Sequence, residues 1–144
     1  MKLFNTTYHD NDDIKLMDEL VGKPFSFVTA IQMGGVGSKR LMIANASPEF
    51  NDVLKSTSDI NYANIALRPQ GIIVHFTQQL KRYAWVVPYY KLVIYNTATF
   101  SVYSDHVFLR FAKNKQHQEN KGFIKKMMQQ KITYTTKNNT YENH

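Results

Sequence analysis

The sequence predicts a mainly β, α+β domain: an antiparallel barrel or sandwich of about seven strands, capped by a C-terminal amphipathic helix, with a short N-terminal helix in front. Three observations carry that prediction. From Ile60 to Ala112, six strand-like segments follow one another: "INYANIAL", "GIIVHFT", "KRYAWVVP", "YYKLVIY", "TFSVYS" and "HVFLRFA". Their links ("RPQG", "QQ", "NTA", "SDH") are short and polar, far below the dozen or so residues that parallel crossovers need. The period then changes, and "QHQENKGFIKKMMQQK" sets Phe123, Ile124, Met127 and Met128 on one side of a helix with lysines and glutamines on the others.

The elements before Ile60 follow from the same rules. "DNDDIKLMDELVG" offers Asp10 or Asn11 as N-cap, with Ile14, Met17, Leu20 and Val21 at helical spacing and Gly22 and Pro24 as stops. In "FSFVTAIQM" the period reads as two, with Phe25, Phe27, Thr29, Ile31 and Met33 sharing one face of a strand. "KRLMIANA" reads as the next strand, so "GGVGS" is expected as a hairpin turn in which glycines supply positive φ. "SPEFNDVLKS" predicts a turn and one or two helical turns, with Ser47 capping and Pro48 first. "TYTTKNNTYENH" is polar, so residues 1–132 form the expected single domain and 133–144 a tail, with "ITYTT" across their boundary offering an edge strand.

Totals narrow the class further. A chain of 144 residues holds one compact domain and a core that needs no staples. It has no cysteine, so disulfides, thiolate metal sites and a cysteine nucleophile are excluded. The start lacks a secretory apolar run and no stretch is apolar enough to span a bilayer, which suggests a soluble cytoplasmic protein. The net charge of +7 is uneven: Lys113 to Lys137 carries seven lysines against Glu119 alone, whereas residues 1–112 are nearly balanced.

"LRPQGIIVHF", then "KRYAWVVPYYKLVIYNTATFSVYSDHVFLRFA", then the helix, resemble the bacterial branch of the pleckstrin-homology-like fold over residues 66–131. The segment "VVPYYKLVIY" is similar to that branch's proline-aromatic corner. The resemblance implies seven strands, although eight candidates are present, and a closing hairpin and helix. It also implies a binding and assembly module, many bacterial members having no assigned activity. "AIQMGGVGSKRLMIANASPEF" further resembles a bacterial family of unknown function. At the corner, Pro88 belongs at a strand end or a bulge, with Trp85, Val87, Tyr90, Leu92 and Ile94 expected to face inward.

"MGGVGSKR" invites a phosphate reading. Neither the P-loop nor the dinucleotide spacing fits, and a strand follows where both motifs need a helix. What remains is an anion contact of loop amides with cations beside them: Gly34, Gly35, Gly37, Lys39 and Arg40. In phosphoinositide-binding members of the fold, the basic residues lie on the loop between the first two strands. Lys39 and Arg40 sit at a comparable place, but Leu41 and Met42 interrupt the fuller basic pattern. "DNDD" lacks the calcium-loop glycine and glutamate, no histidine pair has metal-ligand spacing, and no nucleophile elbow occurs, so no catalytic residue, metal or cofactor is assigned.

The leading expectation is therefore a noncatalytic binding or assembly module that meets a protein or an anionic ligand through its basic rim. Its edge strands leave room for a homo-oligomer. A small-molecule or enzymatic barrel built on His75, Tyr83, Trp85 and Lys91 is the second reading. Weak nucleic-acid binding through Lys121, Lys125 and Lys126 is the third, without any recognised nucleic-acid motif.

Overall fold

The computed structural model describes residues 1–54 and 61–142. In chain order these form β1 (Leu3–Asn5), α1 (Asn11–Val21), α2 (Phe27–Gln32), β2 (Leu41–Ala46), β3 (Asn61–Arg68), β4 (Gly71–Gln78), β5 (Lys81–Pro88), β6 (Leu92–Asn96), β7 (Phe100–Ser104), β8 (Val107–Phe111), α3 (Lys115–Glu119) and α4 (Lys121–Glu142). The fold is mixed α+β and mostly sheet. Eight strands, all antiparallel to their neighbours, lie in the order β1-β5-β4-β3-β2-β8-β7-β6. The sheet does not close on itself, and β1 and β6 are its edges. No described helix is long and apolar enough to cross a membrane.

Strand alternation from Asn61 onward is as expected; Ile60, where the first of these strands was expected to begin, lies outside the described residues. So do the end of the short helix expected after Pro48, at Lys55 and Ser56, and the chain end at His144. The eight strands are not the eight candidates. "FSFVTAIQM" is not a strand: Ser26 caps α2, its hydroxyl accepting the Thr29 N–H at 3.2 Å, and Gly34 and Gly35 end the turn at φ 77° and 94°. The missing strand is replaced by β1, whose three residues pair with Tyr83–Trp85 of β5. The expected polar tail is helical as far as Glu142, and "ITYTT" continues α4 instead of adding a strand.

β2 joins the two halves of the sheet. Its Leu41–Ile43 pair with β3, and Ile43–Ala46 pair with β8 across a register shift between Ile43 and Asn45. A serine extends the ladder at each end. Ser38 donates its N–H to Ile65 O while its hydroxyl accepts the Ile65 N–H, both at 2.8 Å; Ser47 does the same with Phe108 at 3.0 and 2.9 Å. Ser47 thus spends its hydroxyl on the sheet and does not cap the 3-10 turn at Pro48–Phe50.

Inward side chains from both halves form one core, among them Ile65, Val74, Trp85, Leu92, Val102 and Leu109, so the sheet curls around it. Phe50 enters from the loop, edge-on to Trp85 with ring centroids 5.2 Å apart. The outer face of β4 and β5 carries a second, smaller core in which Met17 and Val21 of α1 cover Phe4, Ile73, Ala84 and Val86. This two-sided burial explains why "GIIV" and "AWVV" read as unbroken apolar runs. Arg68 straps α1 to β3, pairing with Asp18 at 3.0 Å and donating to Gly22 O at 2.7 Å.

The proline corner departs from expectation by one residue. A 3-10 turn at Tyr89–Lys91 follows Pro88, turning Tyr89 into the core and leaving Tyr90 exposed. The terminal helix meets its expectation: Ile124 and Met127 are fully buried, and Phe123 and Met128 pack against the same core.

Candidate anion-binding site

The glycine loop is a helix terminus, and most of its amides are already used. Gly34 N–H donates to Ile31 O, Gly35 N–H to Ala30 O, Ser38 N–H to Ile65 O and Lys39 N–H to the side chain of Asn120. Its carbonyls are the outward groups, and the Lys126 ammonium donates to Gly34 O at 3.2 Å and Gly35 O at 2.8 Å. Gly37 bridges to Ala66 beside β3. Gly34, Gly35 and Gly37 therefore arrange the α2–α4 junction, and their carbonyls receive a cation.

Arg40 goes elsewhere. Buried Asn120 fixes the backbone around it, accepting from Lys39 N at 2.9 Å and donating to Arg40 O at 3.3 Å. This aims the Arg40 side chain onto the outer face of the sheet, where its guanidinium lies over the Tyr62 ring at 4.5 Å. There it borders a groove of about 370 Å³ with Thr6, Tyr62, Asn64, His75, Phe76, Thr77, Arg82 and Tyr83. Strand register builds this floor: Asn64 lies opposite His75, and Thr77 opposite Arg82. β1 fixes the far wall, with Thr6 N–H donating to Arg82 O and Arg82 N–H to the Thr7 hydroxyl.

The groove holds two permanent cations and no carboxylate. Among the described residues, neither guanidinium makes an ion pair. His75 is exposed overall, yet the surrounding walls desolvate its ring, and together with the Arg68 charge they hold its pKa below the usual imidazole value. It therefore stands in the groove as a neutral donor and acceptor at pH 7. Guanidinium forks, a phenol, an amide and hydroxyls are the groups that recognise carboxylate or phosphate oxygens.

The alternative site does not assemble. Trp85 is in the core, His75 points to the opposite face, and Lys91 lies in the 3-10 turn with its ammonium 5.9 Å from the Tyr90 ring centroid. Tyr83 is at the groove, stacked on Phe76 at 5.5 Å. Of the three helix lysines, Lys126 is committed to the glycine carbonyls, while Lys121 and Lys125 line a separate hollow of about 440 Å³ beside Lys113 and His117. No group of three or more metal-binding side chains comes together among the described residues.

Of the residues expected to meet an anion, the groove keeps Arg40 alone, and of those in the second reading it holds His75 and Tyr83. It adds Tyr62, Asn64, Thr77 and Arg82, which sequence reasoning missed; the link read as "QQ" is one residue out of place, the turn being Gln79–Leu80. A two-residue hairpin pairs Gln78 with Lys81 and hence Thr77 with Arg82. No family model matches the chain, and neither the curated proteins nor the solved structures provide a match.

Proposed function

We propose that this chain is a noncatalytic binding module of pleckstrin-homology-like fold that holds an anionic, oxygen-rich ligand in the outer-face groove. One observation carries the reading: Arg40, braced on Tyr62, and Arg82 border the same groove, and no acid lines it. The fold assignment is supported by topology. Apart from the short edge strand β1, the sheet is a four-strand meander β2–β5 and a three-strand meander β6–β8, followed by a terminal helix, with a proline-led turn between the two meanders. A cytoplasmic setting is carried along with this reading. Self-assembly through edge β6, where Val93 and Tyr95 are exposed, is its assembly branch; a monomer by light scattering at high concentration removes that branch.

The test is an NMR titration of the full chain with inorganic phosphate and with glycerol phosphate at constant ionic strength. Amide shifts are expected around Tyr62, Asn64, His75 and Arg82, with the His75 pKa rising as the anion enters. An Arg40→Ala/Arg82→Ala variant, both residues being exposed, should keep its thermal stability and lose those shifts. Shifts that persist in the variant, or that appear along the α4 lysines instead, refute the groove.

A further inference from the structure

Helix α2 is built the wrong way round for a surface helix of a globular protein. Such a helix turns its apolar face to the core and its polar face to water. Phe25, Met33 and Val36, at and beyond its ends, do pack against the core. Yet Phe27, Val28 and Ile31 are 80%, 63% and 62% exposed. Positions i, i+1 and i+4 lie on one side of a helix, so the three side chains form a single patch. The patch is held rigidly, by the Ser26 cap at one end and by Gly34, Gly35 and Lys126 at the other.

The chain that flanks the helix is one-signed. Residues 20–48 contain Lys23, Lys39 and Arg40 and no acid; Lys23 and Lys39 are exposed and flank the helix along the chain. Helix α4 adds Lys126 beside the loop, where its ammonium is held by the Gly34 and Gly35 carbonyls, and has no acid between Lys121 and Lys137. Three side chains of this size offer on the order of 300 Å². That is well short of the ~800 Å² each partner gives to a stable protein complex. Shallow insertion at a lipid interface needs only such a short apolar face, provided cations stand beside it to meet anionic headgroups.

We propose that α2 docks this protein on an anionic membrane surface: Phe27, Val28 and Ile31 enter the headgroup–acyl boundary while Lys23 and Lys39 meet the lipid charge. This is independent of the groove at Arg40 and Arg82, whose residues the test leaves intact.

The experiment is co-sedimentation of the full chain with phosphatidylcholine vesicles and with vesicles in which phosphatidylserine replaces part of the phosphatidylcholine. The wild type should pellet with the anionic vesicles alone, less so at high salt. Phe27→Ser/Ile31→Ser changes two exposed side chains, so its thermal midpoint should be retained while vesicle affinity falls on the order of tenfold or more. As a second readout that leaves the patch apolar, Phe27→Trp should show a blue-shifted emission on anionic vesicles. Absent pelleting, equal pelleting of the serine variant, or an unshifted tryptophan overturns the proposal. So does a soluble dimer that the serine variant disperses, which would make the patch a contact between two copies.

Discussion

Gly71 shows how much a single position can fix. It opens β4 where α1, β4 and the end of β5 converge, and a Cβ there would lie 2.5 Å from both Val21 Cγ1 and the Val87 carbonyl oxygen. The second of these is backbone in a paired strand and has little freedom to retreat. Gly71→Ala should therefore cost about 1–3 kcal/mol, read as a lower denaturant midpoint at unchanged slope. Asn120 works by hydrogen bonding: one buried amide ties Lys39 and Arg40 to Gln116 and so sets where the Arg40 side chain starts. Neither role is visible in "RPQG" or "QENKG", because a glycine or asparagine near a turn satisfies local rules whether or not anything packs against it.

At the scale of elements, α4 closes the concave side of the curled sheet. Met127→Ala, at a fully buried position, should lower stability by about 2–5 kcal/mol. Truncation before His117 should leave no cooperative unfolding transition, checked by thermal circular dichroism. This helix was legible because its apolar stripe has a helical period and nothing else. Helix α2 was not. "FSFVTAIQM" alternates as cleanly as a strand, and its glycines suit a hairpin as well as a helix end; what decides is Ser26 capping and Phe27 facing water, which no pattern reveals. β1 was missed because three residues carry too little period to read. In the candidate site, the Thr77–Arg82 pairing was not read, because the turn is Gln79–Leu80 and not the "QQ" link, which as a two-residue turn would set Thr77 opposite Leu80. Nor was the meeting of Arg40 with Tyr62, since the connection between their strands is too long for its length to set a register.

For the whole molecule, two histidines give stability a pH dependence. His117 is buried against Phe100, and desolvation, then Lys113 and Lys121, lower its pKa; burial and Arg68 lower that of His75. Both remain neutral in the fold, while the unfolded chain takes up protons below about pH 6.5. The unfolded state then binds more protons, so stability is full above that pH and falls as the pH drops toward the folded-state values. Glu49, also lowered, acts only in the more acid carboxylate range. The denaturation midpoint should be lower at pH 5 than at pH 7.5, and His117→Gln should flatten part of that slope. The strand order has a further consequence, for synthesis. β1 waits for Tyr83–Trp85, and β2, although it meets β3 early, waits for Leu109–Phe111 before its second edge is covered. A ribosome therefore releases the front of this chain long before all its neighbours emerge, and the β2–β5 meander is the first part able to organise. Until β8 emerges, the uncovered edge of β2 is open to pairing with other chains.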